Sequence, residues 1–175
     1  MTAHNCIEIG QRPEDLASDQ FRAVFRRHPA GVAVVTFADG ERPVGFTATS
    51  VISVSAEPPL LAFSIAGTSS CWPALAVASS VVINFLAAGQ VDVSARFATS
   101  GIDRFAGVEW RRLPTGEPVL EGPLSWVRGE VVSRTPAGAS HLIVVRAVES
   151  YRGPQVAPLV YHDRAYHQVD GSSAL

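Results

Sequence analysis

Gly45-Phe46-Thr47-Ala48-Thr49-Ser50-Val51-Ile52-Ser53-Val54-Ser55-Ala56-Glu57-Pro58-Pro59 is a run of small, β-branched and hydroxyl-bearing residues closed by two prolines. Thr47, Thr49, Ser53 and Ser55 recur with the period of two that puts residues on one face of a strand. Ser50 falls on the other face. A row of small hydroxyls beside Ala48 lets a flat polar ligand approach the backbone and offers it hydrogen-bond donors. On spacing alone, the same pattern is that of an edge strand rich in threonine. The prolines end the strand because proline cannot donate to a ladder.

Asp39-Gly40 is a hairpin signal between this run and an apolar strand over Val32 to Phe37. Leu60 to Ile65 and Val81 to Leu86 are further buried strands. Two long strands follow, over Leu124 to Arg134 and Ser140 to Ser150, joined by a Pro136-Ala137-Gly138 turn. Short strands near Leu159 and Tyr166 close the chain. Helices are expected at three places. The first starts near Ser18 or Asp19 and lays Phe21, Val24, Phe25 and His28 on the core; Pro29 and Gly31 end it. The second runs from Ser69 or Ser70 to about Ala78, and the third from Gln90 to Ala98. Residues 99–122 are rich in glycine and proline, hence loops. Many modest strands with helices between them predict a mainly β fold with inserted helices, a barrel with helical excursions. No Gly-x-Gly-x-x-Gly follows a strand, so the usual dinucleotide fingerprint is missing. The expected organisation is a flexible arm over 1–17 and one domain over 18–170.

The 175 residues suffice for one sizeable core, and 47% of them are hydrophobic with a formal net charge of -2. All 14 basic residues are arginine, unclustered in sequence, so no nucleic-acid partner is expected. No apolar run is long enough for a membrane helix. Met1 to Cys6 lacks a basic start with an apolar run behind it, so no secretory leader is expected and the location reads as cytoplasmic. Cys6 and Cys71 have no metal or redox spacing and read as free thiols.

Several segments, in order, resemble the short-chain flavin reductases, the reductase components of two-component flavin monooxygenases. They are Ala30-Gly31-Val32 with Val34-Val35-Thr36, Gly45 to Ser50, Ser53-Val54-Ser55 with Pro58-Pro59-Leu60, and Val82-Ile83-Asn84-Phe85-Leu86. Ala95-Arg96-Phe97-Ala98, Asp103-Arg104-Phe105, Gly138 to His141 and Pro158-Leu159-Val160-Tyr161 complete the set. The resemblance spans about Phe21 to Tyr166. It implies an FMN-binding split β-barrel, a homodimer with flavin near the subunit interface, and hydride transfer from NADH or NADPH to FMN, with FAD as the other flavin. Reduced flavin would pass by diffusion to a partner monooxygenase. A non-catalytic flavin-binding barrel is the alternative, and a split-barrel oxidase acting on another substrate is a third.

The resemblance also points to residues. Phe46, Thr47, Ala48, Thr49 and Ser50 form the first flavin-binding group. Ser64, Thr68 and Ser69 form the second, although Thr68 and Ser69 equally suit a helix N-cap. Family members often carry a basic residue near position 70, where this chain has Ser70. Arg96 and Phe97 are a third group; Arg96 pairing with Asp92 and Phe97 in the core are the equal alternative. Asn84, mid-strand in an apolar run, bonds backbone or faces the flavin ring. His141 is the catalytic candidate, linked in the family with nicotinamide binding; a surface histidine at a hairpin end is the alternative. The family's Gly-Asp-His reads Gly138-Ala139-Ser140-His141 here, so the acidic neighbour is absent. Tyr161 and Arg164 fall on the nicotinamide side, with Arg164 able to contact phosphates. His162, Asp163 and His167 could suggest a metal only if they formed a facial triad, and no metal is expected.

Overall fold

β2 (Ala33–Asp39) is buried along Ala33-Val34-Val35-Thr36-Phe37 without alternation, and its position explains why. It lies between β3 (Arg42–Ala48) and β6 (Ser80–Phe85), with apolar layers on both faces. Ala33, Val35 and Phe37 face one core, while Val34 faces a second core with Leu86, Phe97 and Leu120. The computed structural model describes residues 12–173.

Seven antiparallel strands form the main sheet, in the order β3-β2-β6-β9-β10-β5-β4. The remaining members are β4 (Ile52–Ala56), β5 (Pro59–Ala66), β9 (Ser125–Ala137) and β10 (Ser140–Arg152). The sheet rolls up, so that Val44 and Phe46 of β3 share one core with Leu61, Phe63 and Ile65 of β5. The Phe46 and Phe63 rings meet at 6.1 Å across the closure. The edge strands β3 and β4 are not paired with each other, so the barrel is split. Bulges in the β9–β10 ladder, at Val144/Val145 and Ala147/Glu149, supply curvature. Gly129 is required there, because a Cβ on it would lie 2.3 Å from Val145 Cγ1 and 2.6 Å from the Arg146 carbonyl oxygen.

Outside the barrel, β1 (Ala30–Gly31), β11 (Leu159–His162) and β12 (Ala165–Gln168) make a three-stranded sheet. Residues 99–122, expected as loop, also hold a two-stranded ribbon of β7 (Trp110–Arg112) and β8 (Pro118–Leu120). The helix α3 (Val91–Ala98) packs on β3, where Gly45 makes room for it. A Cβ on Gly45 would sit 2.7 Å from Phe97 Cε1.

The structure corrects five expectations. The helix α1 (Ser18–Arg26) forms, but its aromatic stripe does not enter the core: Phe21 is 53%, Val24 65% and Phe25 56% exposed. The barrel interior is already filled by its own strands, so the rings of Phe21 and Phe25 pack on each other at 4.6 Å. Its N-cap position is Ala17, with no side-chain cap, while Ser18 and Asp19 lie in the first turn. The hydroxyl row is not one strand, because β3 stops at Ala48 and β4 starts at Ile52 after a bend. The helix α2 (Trp72–Leu75) is a single turn that ends well before Ala78. The long hairpin turns at Gly138-Ala139, one residue later than expected. Cys71 is buried as a free thiol; Cys6 and most of the expected arm lie outside the described residues.

Candidate functional site

The bend between β3 and β4 is held by a side chain. Ser50 Oγ accepts the backbone N–H of Ser64 at 3.0 Å and donates to the Ser64 carbonyl at 3.2 Å. This clasp docks Thr49 and Ser50 against β5. It leaves Thr49 exposed at the edge of a cleft of about 600 Å³. The other walls come from α1 and from the turn between β11 and β12. Together, Thr49, Ser50, Ile52, Tyr161 and Arg164 meet Arg22, Phe25 and Arg26 across this cleft. The backbone N–H of Asp163 donates to the Arg26 carbonyl at 3.0 Å and ties the two outer walls together. Tyr161 is braced edge-on by Tyr166 at 5.2 Å, and the Tyr166 hydroxyl is hydrogen-bonded to Ser94 Oγ at 2.9 Å.

His141 occupies a different place. It pairs with Ile65 in the β10–β5 ladder, so its side chain shares the inward face with Ile65 and Ile143. Ser64 pairs with Leu142, and both are exposed on the outer face. The imidazole stacks flat on Trp72, with ring centroids 3.6 Å apart and 14° between planes. Trp72 opens α2, whose Leu75 and the preceding Cys71 are buried in the barrel core. Nδ1 of His141 is buried with no hydrogen-bond partner, alone in this among the described side chains. Gly67 borders it: a Cβ there would stand 3.5 Å from His141 Cε1.

The remaining residues singled out from sequence fall elsewhere. Phe46 and Ala48 are buried in the barrel core. Thr47 donates to the Ser94 carbonyl at 2.6 Å and fastens α3 to β3. Asn84 is fully buried and fully used: Nδ2 donates to the Val34 carbonyl at 3.0 Å and Oδ1 accepts the Leu120 N–H at 3.0 Å. Phe97 is fully buried, edge-on to Phe105 at 5.0 Å. Arg96 donates to the carbonyls of Asp103 and Arg104 at 3.0 and 3.2 Å rather than pairing with Asp92. Thr68 is exposed, and Ser69 Oγ accepts the Cys71 N–H at 3.3 Å. A second cleft, of about 530 Å³, is bordered by Arg104 and Cys71. Its guanidinium is spent on the carbonyls of Gly45 and Thr99 and on Cys71 Sγ, so it serves as a brace. No group of three His, Cys, Asp or Glu side chains among the described residues could hold a metal ion. Nor is any described helix long and apolar enough to cross a membrane.

Sequence reasoning missed Trp72, and it missed Arg22 and Arg26. The aromatic directly after Thr68-Ser69-Ser70-Cys71 was the available signal for the first. The i, i+4 spacing of two arginines on α1 was the signal for the others.

The cleft can receive a phosphate-bearing ligand: it offers hydroxyls, an exposed backbone bend and guanidinium groups. Comparison with known proteins gives the chain's family. An NADH:FMN oxidoreductase of Rhodococcus qingshengii is 45% identical over 176 residues, covering 95% of this chain and 91% of that protein. The reductase subunit HsaB of a flavin-dependent monooxygenase from Mycobacterium tuberculosis is 38% identical over 130 residues, covering 74% and 69%. The crystal structure of a flavin reductase domain protein from Arthrobacter superposes with a TM-score of 0.84 at 37% identity, covering 88% and 96%. The profile of the flavin reductase like domain matches residues 25–170, and to that family this chain belongs.

Proposed function

We propose that this chain is an NADH-dependent flavin reductase that supplies reduced flavin to a separate monooxygenase. One observation carries the reading. Thr49, Ser50, Tyr161 and Arg164 come from segments far apart in sequence, and they converge on a single cleft. The relatives named NADH:FMN oxidoreductase and monooxygenase reductase subunit support both halves of it.

The donor set fits a flavin mononucleotide. Thr49 and the Ser50 bend would hold the phosphate or ribityl hydroxyls, with Arg164 adding charge. With both cofactors bound, the nicotinamide would supply a hydride and the flavin would accept it. The protein binds, orients and dries the pair; it needs no nucleophile of its own. His141 has the role of orienting the nicotinamide, with Trp72 fixing the imidazole plane. FMN is the favoured flavin and NADH the favoured donor; FAD and NADPH are tested beside them.

We also propose a homodimer acting in the cytoplasm. Phe21 and Val24 of α1 and Val54 of β4 are large apolar side chains left more than half exposed, surface that a second copy would cover. Sedimentation that finds only an 18.6 kDa species at micromolar concentration rejects the dimer.

The test of the reductase reading is consumption of NADH, then NADPH, by the purified protein with FMN, FAD, riboflavin or no flavin. Flavin-dependent consumption supports it. Tight flavin binding with no turnover would instead mark a non-catalytic flavin-binding barrel.

A further inference from the structure

We propose that the cleft between α1 and the β11–β12 turn is a phosphate-ester site in which Arg22 and Arg26 of α1 act together with Arg164. The inference rests on the reductase reading for the identity of its ligand. It adds a helix that neither the fold resemblance nor the hydroxyl motif assigns to binding.

Three features support it. Arg22, Arg26 and Arg164 line one cleft, and the sole carboxylate among its lining residues is Asp163. None of the three guanidiniums makes an ion pair or hydrogen bond within the described residues. In a chain of net charge -2, this leaves a local cationic hollow with no internal counter-charge assigned to the arginines. The turn that presents Arg164 is also strained. Asp163 and Arg164 have φ of 47° and 65°, a left-handed pair that a two-residue hairpin commonly gives to Asn-Gly. The two-residue connection between His162 and Ala165 imposes that conformation and sets Arg164 at the cleft edge. Finally, the cleft volume of about 600 Å³ suits a nucleotide portion rather than a lone inorganic ion.

The shared chemistry is a phosphate or pyrophosphate ester, carried either by the dinucleotide donor or by the flavin. Arg22→Ala/Arg26→Ala removes two of the charges at exposed positions. Arg27→Ala, on the same helix end but outside the cleft lining, is the control. Titration calorimetry with inorganic pyrophosphate and with ADP reads the site without turnover. Kinetics with NADH against reduced nicotinamide mononucleotide, and with FMN against riboflavin, identifies the source. The proposal expects ADP or pyrophosphate binding to weaken on the order of tenfold or more in the double variant and not in the control. A rise in KM for NADH but not for the mononucleotide assigns the site to the dinucleotide. A rise for FMN but not for riboflavin assigns it to the flavin. Equal binding by wild type and double variant, or no binding of either probe, overturns the proposal. If the protein oxidises no NADH at all, the reductase reading fails, and the calorimetry still decides the cleft.

Discussion

The imidazole of His141 lies flat on the indole of Trp72, 3.6 Å between centroids, and its Nδ1 is enclosed without a hydrogen-bond partner. Family members often place an acidic residue before this histidine, where the chain has Ser140. Ser140 makes no side-chain hydrogen bond to the imidazole among the described residues. The ring plane is therefore set by stacking rather than by a carboxylate. An aromatic face fixes tilt well and rotation about the ring normal poorly.

This predicts a graded series. His141→Ala should slow flavin reduction by roughly ten- to a hundredfold while flavin affinity stays near wild type, as expected for a lost positioning contact. Trp72→Leu should reproduce part of that loss, on the order of tenfold, and Trp72→Phe should restore most of it because a ring is kept. Stopped-flow reduction of bound flavin separates this step from product release. Wild-type rates in His141→Ala would return the histidine to a packing role.

Thr49 and Ser50 should separate. Thr49 makes no side-chain hydrogen bond among the described residues and is exposed, so Thr49→Val should weaken flavin binding and leave the melting temperature unchanged. Ser50 holds both backbone groups of Ser64, so Ser50→Ala should also lower stability by about 1–2 kcal/mol. Fluorescence titration with FMN, run beside thermal melts, checks both. Unchanged affinity in both variants makes the bend purely structural.

Gly45→Ala tests the contact between α3 and β3. The added methyl would meet the Phe97 ring at 2.7 Å, and that ring is fully buried against Phe105. Overpacking of this kind should cost about 1–3 kcal/mol. Denaturant unfolding measures it; a neutral result would mean that α3 shifts freely on the barrel.

Acid stability should depend on Glu117. Burial raises its pKa, but Arg128 at 2.9 Å, the hydroxyls of Ser80 and Thr115 and its own backbone outweigh that and hold it at about 2. A depressed folded-state pKa adds stability at neutral pH, and that stability is lost as pH falls from about 4.5 to about 2. The contribution is roughly 3 kcal/mol. Glu117→Gln should be less stable than wild type at pH 7 and should lose less on acidification. Parallel unfolding curves at all pH values would contradict this.

Much of the barrel was legible. Asp39-Gly40 and Gly138 marked the hairpins, and Gly40 and Gly138 both adopt the left-handed conformation, each with φ of 59°. The strands around them follow from dense apolar runs. The fate of α1 was not legible, because periodicity gives a helix its apolar face without saying what covers that face. The hydroxyl row failed as one strand because alternation was carried across the bend at Thr49 to Val51. Asn84 and Phe97 had the residue types of ligand contacts and equally those of a satisfied core. Trp72 was missed because its partner His141 is distant in sequence, and only the β5–β10 register and the α2 turn bring them together.

Anaerobic mixing of the protein with NADH and FMN, followed by loss of the oxidised flavin's visible absorption, decides whether the protein reduces flavin. Protein-dependent bleaching is expected that saturates with NADH, slows in His141→Ala and is inhibited by ADP. Bleaching no faster than in a protein-free mixture, with FMN shown to be bound, would contradict it.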